Sequence, residues 1–317
     1  MAEEPEQEEP EELETIIFGD AGWDSLRLHN EIAGFILNHG YGYEYDVIPG
    51  STPNILEGIV KGDVTVLMEM WQDNIPIYPE YREEGKVIEL GTNFDDNAQG
   101  LYVPRYVIEG DPERGIEASA PDLKHVEDLK NYADLFPDPE DPGMGLIVNG
   151  PPSWAVTTIM EVKGAHYGLD EMYNISGSGT EAALAASLTA AYERGEPWVG
   201  YYWEPTWITG KYDLVLLEEA PYDDDLWNEE SGYACEFKPS DITIAINPEF
   251  SEKHPVVTEF LTNYETSSAL TAVGLAYMQD NEAEIDEAAQ WFIKEYEDLW
   301  KDWVTTEAHE KVMAALQ

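Results

Sequence analysis

The chain has 317 residues, enough for two domains of ordinary size, each with its own core. Lys and Arg number 16 against 66 Asp and Glu, a formal net charge of -50, which argues against nucleic acid as a partner and sets the bulk of the surface against an anionic membrane. Cys235 is the only cysteine, so neither an intrachain disulfide nor a cysteine-based metal cluster is available.

So acidic a surface suits high salt or an external high pH, where self-repulsion is screened or tolerated. No apolar run reaches the ~18 residues of a membrane span. Met1 to Glu14 is rich in Glu and Pro and reads as a disordered acidic tether. Such a tether fits a surface lipoprotein or periplasmic protein whose signal peptide has been replaced by Met-Ala; a plain acidic tail is the alternative.

Taken in order, Thr15 to Phe18 predicts a strand, and Gly19-Asp20-Ala21-Gly22 a turn that delivers Trp23 to its end. Asp24 or Ser25 caps a helix carrying Leu28, Ile32, Phe35 and Ile36, which Gly40 stops. A strand at Tyr43 to Ile48 and a helix from Thr52 to Gly62 follow, then a third strand, Val64 to Met70, ending at Trp71. Strand-helix-strand order implies a parallel sheet, whose ligands bind at the carboxyl ends of the strands. Glu69 shares a strand face with Trp71 and is either a carboxylate for a bound cation or a solvated strand-end group.

Gly91 to Gly100 reads as a loop, and Leu101 to Val107, a β-run interrupted by Pro104, as a crossing between lobes. His125 to Phe136 predicts a short helix and Gly145 to Val148 a strand. Ser153 is expected to cap a helix from Ala155 to Lys163, leaving the N–H groups of Trp154, Ala155 and Val156 free as an anion site. Ser176 to Ala182 matches a G-x-G-x-x-A pattern, but with no full strand before it the run reads as a glycine turn with Thr180 capping the helix Glu181 to Arg194.

Val199 to Trp207 gathers aromatic rings with almost no cationic side chains nearby, ending a strand at Trp203-Glu204-Pro205. Indole faces converging on one point favour a desolvated quaternary ammonium, although Trp and Tyr also serve as ordinary core. Leu214 to Leu217 is a further strand, Tyr222 to Lys238 an acidic loop, and Ile242 to Ile246 the return crossing. Helices at Pro255 to Tyr264, Ser268 to Met278 and Ala283 to Val304 close the chain, the last with Trp291, Trp300 and Trp303 as packing residues.

These residues resemble a known family: the substrate-binding proteins of ABC importers for glycine betaine, proline betaine and related quaternary or methylated amines. The likeness runs from about Thr15 and is carried by Gly62-Asp63 before the strand to Trp71, Gly100-Leu101-Tyr102-Val103-Pro104 and Gly150-Pro151-Pro152-Ser153-Trp154. Tyr202-Trp203-Glu204-Pro205-Thr206-Trp207, His254-Pro255 and the tryptophan-bearing last helix continue it. The resemblance implies a two-lobed α/β periplasmic-binding-protein fold of type II, with a tethering segment 1–14, lobe I from 15–103 plus 240–317, and lobe II from 104–239.

It also implies a ligand-binding cage of Trp71, Trp154 and Trp203, with Trp23 as a further ring and a ligand carboxylate held by the amides of Ala155 and Val156. A histidine of some members has no counterpart in Gln72-Asp73-Asn74-Ile75, and Glu204 replaces a neutral residue. Both departures make the site more acidic, which disfavours a carboxylate-bearing ligand and keeps choline, carnitine or an amine oxide in play; Glu69 is a further candidate for the ligand-binding site. The expected protein is an extracytoplasmic monomer that passes its ligand to a membrane ABC permease without cofactor, metal or catalysis. The competing reading is a carbohydrate-active protein, a glycoside hydrolase or sugar-binding module with tryptophan platforms. HExxH, GxSxG and P-loop motifs are absent from the sequence.

Overall fold

The computed structural model describes residues 13–238 and 240–317, so the acidic tract before Leu13 lies outside the described residues. The elements run β1 (Ile16–Asp20), α1 (Asp24–Tyr41), β2 (Tyr45–Pro49), α2 (Thr52–Lys61), β3 (Val66–Met70), α3 (Tyr78–Glu83) and β4 (Ile88–Phe94). They continue as β5 (Ala98–Pro104), α4 (Arg105–Glu109), β6 (Gly145–Asn149), α5 (Ala155–His166), β7 (Tyr173–Gly177), α6 (Glu181–Arg194), β8 (Gly200–Glu204), α7 (Trp207–Lys211) and β9 (Leu214–Leu216). The chain closes with β10 (Ile242–Ile246), α8 (Pro248–Lys253), α9 (Pro255–Asn263), α10 (Ser268–Asn281), α11 (Ile285–Glu295), α12 (Glu297–Trp300) and α13 (Thr306–Ala315).

Two mixed sheets form, in the orders β2-β1-β3-β10-β4 and β7-β6-β8-β5-β9. In each, the strand before the last has crossed from the other lobe and runs antiparallel: β10 against β3 and β4, β5 against β8 and β9. The remaining pairs, β1 with β2 and β3 and β6 with β7 and β8, are parallel, as the strand-helix-strand order predicts. β3 and β10 are buried along their whole length, covered on both faces, so their side chains run apolar without alternation apart from Glu69 and Thr243.

The chain passes from the first sheet to the second between Phe94 and Ala98, ahead of the expected boundary at 103/104. The expected loop from Gly91 to Gly100 is largely two strands joined by Asp95–Asn97. Gly91 belongs to β4 because a Cβ there would stand 2.3 Å from the Thr262 carbonyl oxygen; only glycine lets the strand pack this closely on α9. At the crossing, Asn97 Nδ2 donates to the Ser240 carbonyl at 2.5 Å and Asn97 Oδ1 accepts the Ser240 N–H at 3.2 Å. The outgoing and returning strands are thus pinned together at one buried amide.

Other boundaries move for local reasons. Neither Asp24 nor Ser25 caps α1; extended Trp23 does, and the helix runs through Gly40 to end at Gly42, whose φ of 82° suits a left-handed C-cap. Gly40 instead gives way to α13, where a Cβ would meet Ala308 Cβ at 3.2 Å. β7 is a full strand before the glycine turn, and Thr180 Oγ1 caps α6 by accepting the Ala183 N–H at 3.1 Å. His125 to Phe136 forms two 3-10 stretches, and the last predicted helix breaks at Tyr296, with α13 beyond it. Trp300 and Trp303 are buried in the first lobe, and Trp291 stacks on Tyr277 with ring centroids 4.1 Å apart.

Candidate functional site

The carboxyl ends of both sheets face one gap. After β1 the turn Asp20-Ala21-Gly22 is closed by the Gly22 N–H donating to Asp20 Oδ1 at 2.8 Å, with Gly22 at φ 96°, and it delivers Trp23. Trp71 directly follows β3, and a 3-10 turn over Gln72–Asn74 brings Asn74 back to the gap. From the second lobe come Trp154, set at the start of α5 by Gly150-Pro151-Pro152, and Trp203 near the end of β8. A Cβ on Gly150 would meet Trp154 Cε3 and Thr157 Oγ1 at 3.1 Å each, so glycine leaves the indole its seat.

These four tryptophans, all nearly buried, line a single cavity. Trp154 stands edge-on between two neighbours, its ring centroid 5.7 Å from that of Trp23 at 90° and 4.8 Å from that of Trp203 at 89°. The open space is about 30 Å³, room for about two waters. Bonds between the lobes shut it in. Trp154 Nε1 donates to the Ala21 carbonyl at 3.0 Å, the Thr52 N–H to the Ser153 carbonyl at 3.0 Å, and Asn74 Nδ2 to Gln99 Oε1 at 3.2 Å. Farther out, the Asp24 N–H donates to Glu181 Oε2 at 2.6 Å, and Trp227 Nε1, on the acidic loop, to the Asp73 carbonyl at 2.8 Å.

Ala155 and Val156 also line the cavity, and their N–H groups find no acceptor among the described residues. The expected anion site is narrower than three amides, because the Trp154 N–H already donates to the Pro151 carbonyl at 3.0 Å. Nor does Ser153 cap α5: Trp154 holds that position without a side-chain bond.

Glu69 is neither solvated nor in the lining. It is fully buried behind the rings, where its Oε2 accepts the indole N–H of Trp23 at 2.7 Å and of Trp71 at 3.0 Å. Burial raises its carboxyl to about 7, the indole bonds opposing the shift. Glu204 lies outside the cavity, half-buried at the edge of β8, its carboxyl raised by burial and by the nearby Asp96 charge.

Sequence reasoning missed Thr52, Asn74, Ile75 and Tyr201 in the lining. Tyr201 was legible: it lies two residues before Trp203 on the same strand face, and their rings stack at 6.1 Å. Its hydroxyl donates to Gln99 Oε1 at 3.0 Å, so Asn74, Gln99 and Tyr201 form a polar corner across the lobes. Among the described residues no group of three or more His, Cys, Asp or Glu is placed to hold a metal ion, and no helix is long and apolar enough to cross a membrane.

The family model for the substrate-binding domain of ABC-type glycine betaine transport systems matches residues 14–295. A trimethylamine N-oxide-binding protein of Pelagibacter ubique is 22% identical over 90% of this chain and 89% of its own. The glycine betaine/proline betaine-binding periplasmic protein of Salmonella typhimurium is 22% identical over 86% of this chain and 82% of its own. Among solved structures, an ABC-transporter choline-binding protein in complex with choline superposes with a TM-score of 0.75 at 21% identity, over 96% of this chain and 98% of that one. With a two-lobed fold shared along nearly its whole length and a family match over most of its residues, this chain belongs to the substrate-binding domains of ABC-type glycine betaine transport systems.

Proposed function

We propose that the protein captures a quaternary ammonium or methylated amine solute between its lobes, outside the cytoplasm, and hands it as a monomer to a membrane ABC permease. The observation that carries this reading is the convergence of four indoles, two from each lobe, on one cavity between the lobes. A methylated ammonium offers no hydrogen bond, so water holds it weakly, and each desolvated indole face adds about 2 kcal/mol. The site residues are Trp23, Trp71, Trp154 and Trp203. The free amides of Ala155 and Val156 are the donors for a carboxylate or N-oxide oxygen, and the Asn74–Gln99–Tyr201 corner faces the ligand's tail.

No covalent step is needed. The rings touch one another in the closed form, so a head group enters only as the lobes part about Asn97 and Ser240, and it favours reclosure by filling the cage. The names of the relatives support the ligand class, with trimethylamine N-oxide, betaines and choline all carrying a methylated nitrogen. A carbohydrate platform would offer a flat, open aromatic face. Here the rings stand edge to face across a narrow gap between the lobes, with Glu69 behind them and Glu204 outside.

Calorimetric titration with glycine betaine, choline, carnitine and trimethylamine N-oxide, at low and high salt, tests the reading. Saturable one-to-one binding of at least one, with a change in tryptophan fluorescence, is expected. Heat from none of the four would reject it.

A further inference from the structure

Behind the cage lies a buried carboxylate with no cation of its own. Glu69 sits mid-core on β3, and one of its oxygens gathers both first-lobe indole N–H groups. The other oxygen, Oε1, makes no hydrogen bond of accepted geometry, although the Ser25 hydroxyl, itself unpaired, lies near enough to the carboxyl to oppose the rise in its pKa. The nearest group able to carry positive charge is His29, with Nε2 3.8 Å from Oε1. That ring is committed elsewhere, with Nδ1 2.8 Å from the Tyr264 hydroxyl and Nε2 3.2 Å from Thr271 Oγ1, and burial lowers it to about 3, so it is neutral. Among the described residues no Lys or Arg forms an ion pair with Glu69.

A buried charge is ordinarily paired. The Trp23 and Trp71 rings stand between Glu69 and the cavity, which both line. The two indole N–H bonds also act through the rings: an N–H donating to an anion pushes electron density into its π system, making the cavity-facing surface more negative, as polarised chains of hydrogen bonds do.

We propose that Glu69 is the specificity-determining counter-charge of the cage, orienting Trp23 and Trp71 by their N–H groups and making the site prefer a cationic head over an uncharged one of the same shape. The inference rests on the quaternary-amine reading above and adds to it a charged contributor to selectivity behind the rings. The indole faces by themselves already favour a trimethylammonium over a tert-butyl group through their quadrupoles. The anion behind the walls widens that preference, by its own charge and by the electron density it lends to two of the rings. Because it is buried it acts locally, unlike the field of the acidic surface, which salt screens.

The test compares choline with its carbon isostere, in which a quaternary carbon replaces the ammonium nitrogen, by calorimetry in high salt on the alkaline side of pH 7, where the Glu69 carboxyl is charged. Glu69→Gln should weaken choline by at least ~10-fold, the scale of one unit charge acting at a few ångströms through a protein interior, and should leave the isostere within about threefold. Equal weakening of both ligands would mean that Glu69 only shapes the site, and would overturn the inference. Unchanged choline binding would do the same.

A second measurement needs no variant. Choline carries no proton that titrates near neutrality, so its affinity for the parent protein should rise from the acid to the alkaline side of pH 7 while that of the isostere stays flat. Other groups facing Glu69 are His29 and Ser25 on α1, Tyr264 after α9, and Glu181 on α6, which in turn holds the Asp24 N–H. Glu181→Gln should therefore retain the pH step, and a step that vanishes with Glu181 instead would overturn the assignment. Failure of the parent protein to bind any quaternary amine would remove the functional reading and this inference with it. Parent binding with a flat choline profile would remove this inference alone.

Discussion

Trp154 is the ring on which closure and recognition meet, so Trp154→Ala is the sharpest perturbation of the site. It removes one indole face, worth about 2 kcal/mol to a desolvated cation. It also removes the Nε1 bond to the Ala21 carbonyl across the cleft, about 1 kcal/mol, and the edge-to-face pairs with Trp23 and Trp203, about 0.5–1.5 kcal/mol each. The Trp23 pair and the Ala21 bond exist only between closed lobes, so their loss weakens closure and reads out as ligand affinity. With the lost ring face these total about 3.5–4.5 kcal/mol, or roughly three decades in Kd. Trp154→Phe keeps a ring face but loses the cross-lobe bond, and should cost about 1 kcal/mol. Calorimetric titration of the parent and both variants, with thermal melting of the free proteins as a check on folding, makes the comparison. A Trp154→Ala variant that melts like the parent and binds within about threefold of it would refute the reasoning.

Three further outcomes follow. Gly150→Ala drives a Cβ to 3.1 Å from Trp154 Cε3 and Thr157 Oγ1, so affinity measured by calorimetry should fall by about 1 kcal/mol or more as the indole is displaced. Lys163→Met leaves Glu219 buried without its 2.7 Å partner and frees the Tyr233 and Cys235 carbonyls that Lys163 Nζ holds; urea denaturation should show a loss of about 3–5 kcal/mol. Burial lowers His29 to about 3, so between its ordinary value near 6.5 and about 3 the unfolded chain takes a proton that the folded one refuses. The neutral ring's contribution is complete above that window and is lost as pH falls through it; His29→Gln should flatten the acid limb of urea midpoints plotted against pH.

The placement of the cage was legible because it follows from strand order. A parallel arrangement predicts ligands at the carboxyl ends, and Trp23, Trp71, Trp154 and Trp203 each end or follow a strand that can be read from its apolar run. Helix termini marked by a glycine with positive φ, such as Gly62, were equally readable. What escaped depends on contacts distant in sequence. β4 is polar at Glu89, Thr92 and Asn93 and is a strand because β10 returns to pair with it. Gly40 looked like a stop because nothing local tells of α13 packing there. Glu69 shared a face with Trp71, as its spacing implied, but its burial depends on Trp23, 46 positions away, supplying a second N–H. Glu204 follows a cage tryptophan, yet alternation along the strand turns it to the other face.

The central claim is that a methylated ammonium sits among these four indoles. A crystal structure with the tightest-binding of the four candidate solutes tests it most directly. The account predicts the ammonium within about 6 Å of the Trp71, Trp154 and Trp203 ring centroids, with any carboxylate or oxygen toward the Ala155 and Val156 amides. A ligand found elsewhere on the protein, with the cage still closed on itself, would contradict it.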